Sequence, residues 1–166
     1  SRVHGGAVTL KKMQRFSQLS ERLSENREQK RRLSQRAADC IVEGDRIAID
    51  SGSTAIELAQ VLRERFHTLT IVTNSPEVFE MLYPVEGFEP IQTGGFYMKS
   101  ERAFYGYITV DTLRGLHVSK SLIFPSAISL QHGVGVYVPE LLEVERALME
   151  IADETILLAD SSKFET

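Results

Sequence analysis

Arg46-Ile47-Ala48-Ile49-Asp50-Ser51-Gly52-Ser53-Thr54 passes from a short, β-branched apolar run into small hydroxyl-bearing residues around a glycine. Ile47-Ala48-Ile49 predicts a buried strand. Thr54 with Glu57 predicts a capping box opening a helix whose apolar face is Ala55, Leu58, Ala59 and Leu62. The same transition recurs along the chain. Leu69–Val72 runs into Thr73-Asn74-Ser75, Phe88–Gln92 into Thr93-Gly94-Gly95, Ser121–Phe124 into Pro125-Ser126, and Thr155–Ala159 into Asp160-Ser161-Ser162-Lys163. Strands alternating with helices predict an α/β fold built of βαβ units, an open and mainly parallel sheet flanked by helices. In such a sheet the ligand crevice lies outside the carboxyl ends of the strands, where helix N-termini present free N–H groups to anions. The decorated strand ends therefore predict a crevice for a small, polar, phosphorylated molecule.

The remaining elements follow from caps and periodicity. Ser75 before Pro76 predicts an N-cap followed by proline at the first helical position, with Val78, Phe79 and Leu82 buried and Tyr83-Pro84 as the stop. Ile108–Leu113 predicts a short helix. Leu141, Val144, Leu148, Ile151 and Ala152 predict a late helix leading to a buried strand at Ile156-Leu157-Leu158. Upstream, Asn26 with Gln29 predicts a capped helix start, and Leu33, Ala37, Cys40 and Ile41 recur at helical spacing as far as Gly44. Residues 1–25 read as a leading segment without regular structure, and residues 26–166 as the folded domain.

The length suits about one domain. No apolar run is long enough to span a bilayer and none at the start resembles a signal peptide, so no membrane partner is expected. The single cysteine, Cys40, excludes an internal disulfide and reads as a small buried hydrophobe in a cytoplasmic protein. Residues 1–46 hold 11 Lys and Arg against 6 Asp and Glu, on a chain of net charge −4. A basic front end can serve a nucleic acid. The simpler reading is that Arg27, Lys30, Arg31, Arg32 and Arg36 form the wet face of a helix. These residues contain no self-contained DNA-reading motif.

Asp50 through Thr54 is the strongest candidate site. Gly52 lets the backbone approach a ligand, and Ser51, Ser53 and Thr54 can donate hydroxyls. The stretch is neither a P-loop nor a GxGxxG, and an ordinary capped turn is its alternative. Beside it, Thr73 and Asn74 are spare once Ser75 caps, while Thr93-Gly94-Gly95 is a ligand loop or a plain turn. Lys120 and Lys163 flank predicted strand ends, where a lysine neutralises a phosphate unless it is simply solvated. Asp50 and Glu143 are the carboxylates available as an acid–base pair, or Asp50 only orients hydroxyls. His4, His67, His117 and His132 read as surface or loop residues. No metal-ligand pattern is present, and neither a metal nor a cofactor is expected.

Taken in order, Arg2–Ala7 (R-V-H-G-G-A), Lys30–Asp45, Asp50–Thr54 (D-S-G-S-T), Val72–Ser75 (V-T-N-S), Thr93–Gly95 (T-G-G) and Ile156–Phe164 (I-L-L-A-D-S-S-K-F) resemble the sensor domain of the DeoR family. These are bacterial transcription regulators, mostly repressors, of sugar metabolism. The resemblance runs nearly end to end. It implies a ribose-5-phosphate isomerase-like, Rossmann-like fold whose own DNA reader is a separate N-terminal winged helix-turn-helix. R-x-H-G-G-A resembles the hinge between the two, which makes residues 1–25 a linker and residues 26–166 the effector-binding domain. The resemblance implies that Ser51, Gly52, Ser53 and Thr54 hold the anionic group of a phosphorylated sugar or related effector. Thr73, Asn74, Thr93, Gly94, Gly95, Lys120 and Lys163 would line the rest, with Glu143 matching a family carboxylate.

Departures from the family pattern are local. Phe124, Pro125, Ser126 and Ala127 stand where Gly-x-Asp-Gly is usual, Glu145 where a lysine is common, and Phe96–Phe104 is bulky and charged. The leading expectation is a non-enzymatic effector sensor in a homo-oligomer, dimer or tetramer, that alters the DNA affinity of a larger regulator. The alternatives are a phosphosugar isomerase on the same fold and an interaction module without a small ligand.

Overall fold

The computed structural model describes residues 18–131 and 133–164. Along the chain come α1 (Leu19–Arg22), α2 (Arg27–Ala38), β1 (Arg46–Ile49), α3 (Ser53–Arg65), β2 (Leu69–Thr73), α4 (Pro76–Leu82) and β3 (Phe88–Gln92). An antiparallel hairpin follows, β4 (Phe96–Met98) and β5 (Ala103–Tyr105), then α5 (Tyr107–Arg114) and β6 (Val118–Ile123). A second hairpin, β7 (Ala127–Ser129) and β8 (Gly133–Gly135), precedes α6 (Leu142–Glu150) and β9 (Ala152–Leu157). A 3-10 turn, Ser161–Lys163, closes the described chain.

The five strands read from the sequence form one sheet in the order β3-β2-β1-β6-β9, every neighbouring pair parallel. All five carboxyl ends therefore lie on one edge, the condition for a shared crevice. The β-branched alternation of β1 supplies both cores. Ile47 and Ile49 face a cluster with Ala38 of α2, Leu58 and Leu62 of α3 and Val78 and Leu82 of α4. Ala48 faces the opposite layer, where Val110 and Leu113 of α5 meet Val144, Ala147 and Leu148 of α6. Central parallel strands covered on both faces need continuous apolar runs, which β1 and β2 have.

The α4 start forms as its sequence predicts: Ser75 accepts from the Val78 N–H (3.4 Å) with Pro76 at the first position. Other expectations need correction. At α3 the N-cap is Gly52, so Thr54 lies inside the helix and makes no capping box; Glu57 takes the Arg27 guanidinium at 3.0 Å instead. Asn26 holds the α2 cap position in the left-handed region and makes no side-chain cap. Helix α2 ends at Ala38, short of Gly44, and this leaves Cys40 exposed in the following turn rather than buried. Regular structure also begins earlier than residue 26, in α1, whose Leu19 is fully buried.

The last strand is an edge, not a buried strand. Only β6 flanks it, Leu157 is largely exposed, and Leu158 beyond it turns into the core. His67 and His117 are exposed, as expected. Among the described residues no helix is long and apolar enough to cross a membrane. Expectations resting on residues 1–17, including the R-x-H-G-G-A hinge and His4, fall outside the described residues, as does His132.

Candidate functional site

Asp50 ends β1 with its N–H bonded to the Leu122 carbonyl (3.1 Å). Its carboxylate accepts from the Ser51 N–H at 2.7 Å and from the Phe124 N–H, tying together the exits of β1 and β6. Asp50 thus shapes the loop from behind, almost fully buried. Gly52 then adopts φ +134° and α3 begins. No side chain caps α3, so the N–H groups of its first turn stay available at the positive end of the helix dipole.

That helix start opens on a cavity of about 350 Å³. Ser51, Gly52, Ser53 and Thr54 form one wall. Arg22, Glu25, Asn26 and Lys30 form a second, Phe124, Pro125, Ser126 and Tyr137 a third, and residues 158–160 with Ser162 and Lys163 a fourth. Asp160 accepts from the Ser162 N–H (2.8 Å) and so fixes the turn that carries Lys163. Three cations, Arg22, Lys30 and Lys163, thereby meet an uncapped helix N-terminus, a combination suited to an anion. A larger groove of about 840 Å³ lies between α2 and α3. It lacks any α-helix N-terminus, and the smaller cavity is the chemically organised one.

Lys30 corrects the sequence reading. It is 5 % exposed, not on a wet face, and its ammonium donates to the carbonyls of Arg22 and Glu25, which end the α1 segment. Burial pulls its pKa down from the usual lysine range, while Asp160 pushes the other way. A spacing signal was present: Lys30 precedes Ser34, Ala37, Ala38 and Ile41 at helical intervals, and all four are buried.

The remaining candidates divide. Thr73, Asn74 and Thr93 are buried at the ends of β2 and β3 but do not line this cavity. Thr73 Oγ1 accepts from the Ser75 N–H (3.1 Å), and Asn74 Nδ2 donates to the Phe104 carbonyl (3.1 Å). Gly94 accepts from the Thr109 hydroxyl (2.6 Å) and Gly95 packs against α5, so both serve the packing of that helix.

Lys120 is not at a carboxyl end. It sits opposite Ile47 in the register and its ammonium is 2.8 Å from Asp45 Oδ2, at the other edge of the sheet. Glu143 also lies away from the cavity, exposed and paired with Arg146 at 2.8 Å. The acid beside Asp50 is Glu145, two residues further along α6 and only 7 % exposed. Burial pushes Asp50 up to about 7, and burial followed by the Asp50 charge pushes Glu145 up to about 9. Among the described residues no group of His, Cys, Asp or Glu is placed to hold a metal.

Comparison with known proteins agrees with this architecture. The family model for the DeoR C-terminal sensor domain matches residues 25–166. The transcriptional repressor AccR of Agrobacterium fabrum is 32% identical over 98% of the chain and 63% of its own length. The L-fucose operon activator of Haemophilus influenzae is 32% identical over 99% of the chain and 65% of its own length. The chain thus spans less than two thirds of these relatives. Among solved structures, ribose 5 phosphate isomerase A from Neisseria gonorrhoeae superposes with a TM-score of 0.60 at 15% identity, over 84% of this chain and 54% of that one. At that identity the likeness concerns the fold.

Proposed function

Because the chain belongs to the DeoR C-terminal sensor domain family, we propose that it is the effector-sensing part of a bacterial sugar-metabolism regulator, acting as a repressor. The effector is a phosphorylated sugar or a related metabolite. Its anionic group sits at the N-terminus of α3 on Ser51, Gly52, Ser53 and Thr54, with Lys163 and Lys30 supplying charge. The observation that carries this reading is the uncapped α3 start facing cations from two other segments. Operator DNA is read by an N-terminal domain joined through residues 1–25, and the protein works in the cytoplasm without a cofactor.

Effector binding acts by favouring one arrangement of the larger protein over another. A coupling of about 1–3 kcal/mol is enough for a useful switch. The regulator is a homo-oligomer, dimer or tetramer, as symmetric operators require. Phe96, Tyr97, Tyr107 and Ile108, which form an exposed apolar face around the first hairpin, supply a surface of the kind that subunits bury.

The fold itself favours a second reading, a phosphosugar isomerase. That chemistry needs a carboxylate base facing the substrate carbon. Phe124, Pro125 and Ser126 bring none to the cavity; the carboxylates that line it are Glu25, on the opposite wall, and Asp160, which is engaged in holding its turn. A thermal-shift screen against phosphorylated sugars separates the two. One compound is expected to raise Tm by several degrees, with the shift lost in Ser53→Ala and Lys163→Ala. Conversion of an aldose phosphate to its ketose would instead select the isomerase, and stabilisation undiminished in both variants would remove the anion from this site.

A further inference from the structure

The two cations on the α1–α2 side of the cavity are bonded to protein groups that fix the position of α1. Arg22 pairs through its guanidinium with Glu101, which stands at the tip of the β4–β5 hairpin and is 5 % exposed. The Leu19 N–H donates to the Ser100 carbonyl (3.2 Å) and the Leu19 side chain is buried, so α1 is docked on that same tip. Lys30 holds the other end of the segment through the Arg22 and Glu25 carbonyls. Both side chains also line the cavity. An anion there competes directly with the contacts that keep α1 in place.

Glu101 is an incomplete host for Arg22. Its second oxygen, Oε1, is buried without a hydrogen-bond partner among the described residues. Arg22 alone offsets the burial of this carboxylate, whose pKa burial pushes up from the ordinary glutamate range and Arg22 pulls back. A phosphoryl group offers the guanidinium a fork of acceptor oxygens, the geometry arginine matches best.

Building on the effector site proposed above, we propose that Arg22 is an exchangeable latch: it leaves Glu101 for the bound anion, and α1 is thereby released from the β4–β5 hairpin. Residues 1–17 join the chain at α1, so the latch sits on the path between the effector and whatever precedes the domain. Ligand binding is in this way converted into freedom of the leading segment rather than into a rearrangement of the sheet. Asn26, which carries its non-glycine side chain at φ +50° between α1 and α2, is the pivot.

The test uses the full chain and inorganic phosphate as probe. Calorimetric titration of wild type, Glu101→Gln and Arg22→Gln is paired with hydrogen exchange of the segment 18–25 and with melting curves. A latch predicts that Glu101→Gln binds phosphate about tenfold more tightly, because the competitor for Arg22 is weakened, and that Arg22→Gln binds about tenfold more weakly. Phosphate is expected to accelerate exchange at 18–25 in the wild type. Equal or weaker binding by a cooperatively melting Glu101→Gln overturns the latch and leaves the site intact, because a merely supportive Glu101 would help Arg22 rather than restrain it. Should that variant fail to fold, unchanged exchange at 18–25 in phosphate-bound wild type overturns the latch by itself. Phosphate binding to none of the three proteins refutes the anion site, and the latch with it.

Discussion

Glu145→Gln is expected to stabilise the protein at alkaline pH, by about 3 kcal/mol near pH 8, and to leave stability near pH 4 unchanged. The side chain is 7 % exposed and faces Asp50, itself 4 % exposed. Two buried carboxylates in one place cannot both ionise cheaply. Folded-state pKa values of about 7 for Asp50 and about 9 for Glu145 lie above the ordinary values of 3.8 and 4.5. The folded form therefore holds protons that the unfolded chain has already released, so the contribution of this pair is fully present below about pH 4. It is lost as pH rises through the folded values, between about 5 and 9. Glutamine keeps the shape, removes one titration and relieves Asp50 of its neighbour.

For a domain of this size about 3 °C in Tm accompanies each kcal/mol, so the variant should melt roughly 9 °C higher at pH 8. Its stability profile above pH 5 should be flatter than that of the wild type. Melting curves from pH 4 to pH 9 give the comparison. Parallel curves would mean that Glu145 ionises normally, and the description of this corner as a proton-retaining pair would fail. A shift confined to high pH, with Asp50→Asn giving a smaller rise in the same direction, is the expected pattern.

Glu145 also marks where the sequence stops being informative. The sheet was legible because each of its strands contains a short apolar stretch and is followed by small polar residues or glycine, a pattern local in the chain. Ser51 through Thr54 and Lys163 were legible as cavity residues for the same reason, since each lies in the polar segment that leaves a strand. Lys120 misled because a lysine within a strand gives no sign of which end of the sheet it serves; its partner Asp45 is 75 residues away. Glu143 and Glu145 are two residues apart on one helix, and the packing of α6 leaves the first exposed and buries the second.

Arg22 was invisible for a stronger reason: its partner, Glu101, lies on a hairpin tip 79 residues later. Lys30 was a different failure. It belongs to a basic run, and charge outweighed a helical spacing that placed it on the buried face with Ser34, Ala37 and Ile41.

Two glycines at similar backbone angles are expected to respond differently to alanine, and Gly95→Ala should be the more damaging of the two. Gly95 has φ +131°, and a Cβ there would stand 2.1 Å from Thr109 Oγ1 and 2.7 Å from the Tyr105 carbonyl oxygen. The hydroxyl it displaces is the one that donates to Gly94, and the carbonyl belongs to backbone that cannot retreat. Strain and overpacking together come to about 4 kcal/mol, roughly 12 °C in Tm. Gly52 has φ +134°, yet a Cβ there meets nothing within 4 Å. Backbone strain alone costs Gly52→Ala about 2 kcal/mol, roughly 6 °C. The open space that spares its packing is the cavity in front of α3, so the added methyl occupies the place assigned to the anion. Gly52→Ala should accordingly remain folded and lose the stabilisation that a phosphorylated ligand gives the wild type, whereas any Gly95→Ala that folds should keep it. A Gly52→Ala protein that is still stabilised to the wild-type extent would show that the anion does not approach the backbone at this loop.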